Sequence, residues 1–115
     1  MTWEVIVTEK VKEWISSLDQ STRDSLGSAV GLLQELGPNL GRPFVGKIVG
    51  STVKHLKELR PLSNANGHCR ILFAFDPQRK AILLIARDKT GQWKKWYKKH
   101  IPLAESLYEK YLESQ

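Results

Sequence analysis

Apolar and polar positions alternate first. In TWEVIVT, residues 2 to 8, Trp3, Val5 and Val7 stand against Glu4, Ile6 and Thr8, which predicts a half-buried strand rich in β-branched residues. The period then changes. Val11, Trp14, Ile15 and Leu18 recur at helical spacing and predict an amphipathic helix over about 9–18. Asp19 and Gln20 read as a short turn, and Ser21 with Asp24 resembles a capping box. Leu26, Ala29, Val30, Leu33 and Leu36 continue a second helix until Gly37 and Pro38 stop it. So short a turn makes the two helices a hairpin. Gly27 and Gly31, four apart inside the second helix, suggest close approach of another element.

Residues 39 to 51, NLGRPFVGKIVGS, are punctuated by Gly and Pro and read as loop. VKHLKELR, 53 to 60, reads as a strand, followed by an Asn- and Gly-rich turn. CRILFAFD, 69 to 76, alternates Ile71, Phe73 and Phe75 against Arg70, Leu72 and Ala74. After the PQRK turn, AILLIA at 81 to 86 is apolar throughout, as a strand covered on both faces is. These three strands predict an antiparallel meander. Trp93, Trp96, Tyr97 and His100 share one helical face; Pro102 should interrupt it and start a last helix striped by Leu103, Leu107, Tyr108 and Tyr111. The order β-α-α-β-β-β-α is that of an α+β fold, one sheet with helices laid on it.

A chain of 115 residues with 41% hydrophobic content suits a single domain over 1–115 that can bury a core without staples. The one cysteine, Cys69, excludes an internal disulfide, and the three histidines lack metal-ligand spacing. No metal or cofactor is expected. The longest apolar run is far short of the roughly 20 residues of a membrane helix, and the N-terminus lacks the pattern of a signal peptide. The expectation is therefore a soluble cytoplasmic protein with no membrane partner.

Charge changes the picture. Residues 1 to 41 carry 3 basic and 6 acidic side chains, a net of −3; residues 42 to 100 carry 14 and 3, a net of +11; residues 101 to 115 carry 1 and 3, a net of −2. A positive face this concentrated points to a nucleic acid or an acidic partner. Its densest stretch is ARDKTGQWKKWYKKH, 86 to 100, with six cations and three large rings. There Trp93 and Trp96 are candidate base-stacking surfaces, against the plainer role of core anchors. Lys94, Lys95, Lys98 and Lys99 read as a solvated face that attracts RNA at long range.

The strings GRPFVGKIVGSTVKHLKELR, RILFAFDPQRKAILLIARDKTG and WYKKHIPLAESLYEKYL, in this order and spacing, resemble the RelE/HigB-type toxins of bacterial type II toxin–antitoxin modules, in the phage-derived Gp49-like branch. The resemblance covers nearly the whole chain. It implies a RelE-like fold and a metal-independent ribonuclease that enters the ribosomal A site and cuts mRNA. It also implies a cognate antitoxin as partner, with operator DNA met only through the toxin–antitoxin complex. RNA cleavage of this kind needs an acceptor for the 2′-hydroxyl proton, a donor for the leaving oxygen and cations for the phosphoryl charge. By resemblance, Arg70 stabilises the phosphate, with a salt bridge to Asp76 or Glu58 as the structural alternative. Arg60 would join it from the neighbouring strand, with Lys57 in reserve. Lys89 would act as cation or base, and Tyr97 would stack on a base or help move a proton. His100 would be an acid or base, or simply a helix-end histidine. Arg87 stands where relatives place a small residue and is counted with the RNA-binding set. Glu58 also departs from the pattern: facing the site, its charge would oppose phosphate. The competing readings are a ParE-like toxin with another target and a plain basic binding module.

Overall fold

The computed structural model describes residues 2–53, 56–61, 69–88 and 93–115. Lys89, residues 62–68 where a turn is expected, and the side chain of Trp93 lie outside them. Strand β1 (Glu4–Val7) leads into helices α1 (Glu9–Ser16) and α2 (Gln20–Leu36). Strands β2 (Val45–Lys47), β3 (Lys57–Leu59), β4 (Cys69–Phe75) and β5 (Lys80–Asp88) follow, and helix α3 (Trp93–Glu113) ends the chain. The fold class is α+β, as the pattern of the chain predicts. The sheet is richer than a three-stranded meander. Its order is β1-β5-β4-β3-β2, antiparallel from β5 to β2, with β1 added parallel to β5 through Glu4↔Lys80 to Val7↔Leu83.

Three local features differ from expectation for identifiable reasons. β2 falls in the segment expected to be loop: three residues with a central glycine carry almost no period-2 signal. The cap of α2 is Asp19, whose carboxylate accepts from the Thr22 backbone N–H at 2.9 Å. α3 runs unbroken through Pro102. Proline removes one helical hydrogen bond, and the carbonyl concerned belongs to Lys98, an exposed residue that water can serve. In addition, a Cβ built at Gly27 or Gly31 would meet nothing within 4 Å, so neither glycine marks a close approach. Gly37 does: its φ is +54°, and a Cβ there would strike the ring of Trp3.

Both sheet faces are buried, by different helices. Ile71, Phe73 and Leu83 pack with Val11, Leu26, Ala29 and Leu33 under α1 and α2. Leu72, Ala74, Ile82, Leu84 and Ile85 pack with Trp96 and Ala104 under α3. Fully burying one such side chain is worth about 1.5–3 kcal/mol. The register slips once, between Leu72 and Phe73: Leu72 lies opposite Ile85 and Phe73 opposite Leu83, leaving Leu84 as an extra residue in β5. This bulge puts Leu84 and Ile85 on the same face and reverses the alternation beyond them. Arg87 is thereby turned to the α3 side of the sheet.

Candidate functional site

At the α3 side of the sheet, β3 and β4 pair so that Glu58 lies opposite Leu72, and Arg70 comes opposite Arg87 of β5. Two cations directly opposite each other on neighbouring strands cost stability. Such an arrangement suits a place where anions are held.

Glu58 is fully buried and binds the site together. Its Oε1 receives the Nε–H of Arg60 at 2.9 Å and forms an ion pair with Arg70 Nε at 3.1 Å. Its Oε2 receives the hydroxyl of Tyr97. The backbone explains each position. β3 and β4 carry Glu58 and Arg70 on the α3 face, Arg60 follows β3 at once, and α3 lowers Tyr97 onto them from above. Arg70 is fixed further by donating from Nη1 to the Cys69 carbonyl at 2.8 Å, and Arg87 by donating to the Ala86 carbonyl at 2.6 Å. Arg60 lies flat across β2, over Gly46; a Cβ there would come within 2.7 Å of its Cζ and 3.2 Å of its Nε. The glycine of β2 is therefore the seat of a guanidinium. Gly46→Ala is expected to leave the fold intact, because the far end of a flexible side chain can move. It should displace Arg60 from Glu58 and lower the melting temperature by a few degrees, and Arg60→Ala should abolish the effect of Gly46→Ala in the same thermal melts.

Two proton-bearing groups have shifted affinities. The Tyr97 phenol is raised far above its usual 10 by burial, then by its bond to Glu58 and that carboxylate's charge, with the arginines opposing. It keeps its proton throughout the physiological range. The His100 imidazole is lowered from 6.5 by burial, then by the charges of Lys99 and Arg87, against its bond to the Trp96 carbonyl. With Nδ1 at 2.8 Å from that carbonyl, the neutral ring carries its proton on Nδ1 and its lone pair on Nε2. His100 is thus a buried mid-helix residue, stacked on Trp96 at 4.6 Å, and not a helix-end one.

Other predicted residues lie apart. Lys57 points to the opposite face, its Nζ 5.5 Å from the Phe75 ring. Trp96 is buried as a core anchor, edge-on to Tyr97 at 5.2 Å, and offers no open face for a base. Lys94, Lys95, Lys98 and Lys99 are all exposed. The structural alternative for Arg70 also holds, with Glu58 as its partner. From sequence Glu58 reads as a candidate partner of Arg70 or as a charge in conflict with phosphate; its bonds to Arg60 and Tyr97 as well were not legible.

Comparison with known proteins adds four findings. The family model for phage-derived Gp49-like proteins matches residues 13–109. HigB3 of Mycobacterium tuberculosis, named as a toxin, is 46% identical over 111 residues, 96% of this chain and 95% of that protein. HigB2 of the same organism, also named as a toxin, is 42% identical over 104 residues; these are 90% of this chain but 52% of HigB2, so the chain spans about half its length. Two solved structures share the fold. The free E. coli toxin RelE, in a double arginine-to-alanine mutant, superposes with a TM-score of 0.64 at 12% identity, covering 89% of this chain and 97% of that one. A chain of the archaeal RelE–RelB complex from Pyrococcus horikoshii gives 0.59 at 18% identity, covering 78% of this chain and 98% of that one.

Proposed function

The chain belongs to the Gp49-like family and is a RelE/HigB-type toxin of a toxin–antitoxin system, and from that premise we propose that it is a cytoplasmic, ribosome-dependent endoribonuclease that cuts mRNA and is neutralised by its own antitoxin. One observation carries the reading: a buried carboxylate gathers two arginines and a protonated tyrosine beneath a third arginine.

Each group has a part in phosphate transesterification. Arg70 and Arg60 share a carboxylate, so their guanidiniums are held side by side, where planar forks suit the oxygens of one phosphate. Arg87 adds positive charge from the neighbouring strand. Tyr97 holds its proton at physiological pH; its hydroxyl turns from Glu58 to donate that proton to the leaving 5′ oxygen, and the phenol takes a proton back from solvent after cleavage. Neutral His100 accepts the 2′-hydroxyl proton at Nε2. Glu58 acts through the others: it orients them and offsets their mutual repulsion before substrate arrives. The exposed lysines of α3 add long-range attraction for RNA. Lys89, which follows β5 in the sequence, stays in the set as a further cation or base.

The test is induced expression in a bacterium with mapping of mRNA 5′ ends. Growth should stop, and new ends should fall inside translated reading frames. In a reconstituted ribosome assay, the rate should hold level above pH 6.5 and fall below it as His100 takes a proton, since its folded pKa lies beneath 6.5. Growth arrest without new ends would mean a different target, as in a ParE-like toxin. Continued growth with soluble, folded protein would leave only a binding module.

A further inference from the structure

Across the sheet from Glu58, a groove of about 610 Å³ runs beside β2. Leu40, Val45 and Val49 give it an apolar lining, and Arg42, Lys47 and Lys57 bring three cations to it. Lys47 and Lys57 are register partners, again like charges directly opposite. Among the described residues, none of these three cations has a carboxylate within ion-pair distance. The contrast with Arg60 and Arg70, which share Glu58, is plain. Val49 is 90% exposed, far more than a large aliphatic side chain usually is.

The backbone beside this groove is open. β2 is the outermost strand of the sheet. Arg60 N–H bonds to the Phe44 carbonyl at 2.7 Å, which fixes the alternation of the ladder. Gly46 therefore turns its polar groups inward to β3, while those of Val45 and Lys47 point outward. Val45 N–H is taken by the Gly41 carbonyl at 3.1 Å. Among the described residues, the N–H and carbonyl of Lys47 have no backbone partner and remain as an edge on which another strand can be laid.

We propose that this groove docks an extended, acidic segment of the antitoxin, added as a strand along β2. Its carboxylates meet Arg42, Lys47 and Lys57, and its alternate aliphatic side chains meet Leu40, Val45 and Val49. The proposal rests on the reading of this chain as a toxin with a protein antagonist, and goes beyond it by giving the antagonist's chemistry and place. A peptide fits better than RNA. Among the described residues no aromatic side chain lines the groove to stack on a base, whereas an aliphatic lining and a strand edge suit a polypeptide.

The experiment uses the full chain with the antitoxin encoded beside it. Calorimetry gives the affinity, amide hydrogen exchange reports on Lys47 N–H, and ribosome-dependent cutting is assayed in parallel. Arg42→Glu combined with Lys47→Glu, both exposed, should weaken antitoxin binding at least 30-fold and leave cutting unchanged. Val49→Ser should weaken binding by a smaller factor, and the Lys47 amide should gain protection only in the complex. If wild type binds antitoxin while the variants bind equally well and Lys47 stays unprotected, the antitoxin docks elsewhere and the proposal falls. If cutting drops while antitoxin binding holds, the groove serves RNA and the proposal falls. If the wild-type chain binds no antitoxin, the toxin reading itself fails, which the variants are not needed to reveal.

Discussion

Arg70→Ala is expected to abolish growth arrest and slow mRNA cutting by about 10²–10³, the usual loss when one preorganised donor to a developing charge is removed. It should also cost stability. Glu58 is fully buried, and losing one of its cations exposes the remaining charge to a poorer balance. Arg60 and Tyr97 still hold the carboxylate, so the loss should be about 1–3 kcal/mol, below the roughly 3–5 kcal/mol of a buried charge left with nothing. These two effects can be separated. Adding Glu58→Gln to Arg70→Ala removes the excess negative charge and should recover most of the urea midpoint. Cutting should stay lost. Should the double variant regain both, Arg70 would be a structural partner of Glu58 and no more, and the phosphate would have to be held by other residues.

Tyr97→Phe is the second large effect. The substitution keeps the ring edge-on to Trp96 and removes only the hydroxyl that meets Glu58. Loss of a positioned proton donor slows a reaction by about 10²–10⁴. Losing a hydrogen bond to a charged group costs about 1.5–3 kcal/mol of stability. A chemical substitution in the mRNA isolates the proton. When sulfur replaces the bridging 5′ oxygen at the scissile bond, the leaving group needs no protonation. Tyr97→Phe should then cut that substrate as fast as wild type does. A defect that persists on the sulfur substrate would reassign Tyr97 to positioning Glu58 and the arginines.

Much of this architecture was legible in the chain. Val11, Trp14, Ile15 and Leu18 gave the first helix because a half-exposed helix must put its apolar residues on one stripe. Ile71, Phe73 and Phe75 were separated correctly from Leu72 and Ala74 because β4 is buried by different partners on its two faces. β5 defeated the same reasoning. AILLIA is apolar at every position, so its period carries no face information, and the bulge at Leu84 cannot be read from it. Yet that bulge is what brings Arg87 round to Arg70. β2 was missed because its glycine answers to Arg60, a residue just past the end of β3. Pro102 misled because its usual penalty falls on one exposed turn. At the site, Arg60, Arg70 and Tyr97 came from likeness to a family and proved to be neighbours. The part of Glu58 stayed hidden, because whether a carboxylate opposes an arginine cluster or organises it depends on where its oxygens point.

The parallel pairing of β1 with β5 has a further consequence, in the order of events during synthesis. Glu4 meets Lys80 and Val7 meets Leu83, so the first strand made has no partner until most of the chain exists. At about 5–20 residues per second, it waits for seconds. α3 comes later still, and it supplies Tyr97 together with Trp96 and Ala104, which pack over Leu72 and Ile85. The cluster around Glu58 is therefore incomplete until α3 has been made and has closed over the sheet.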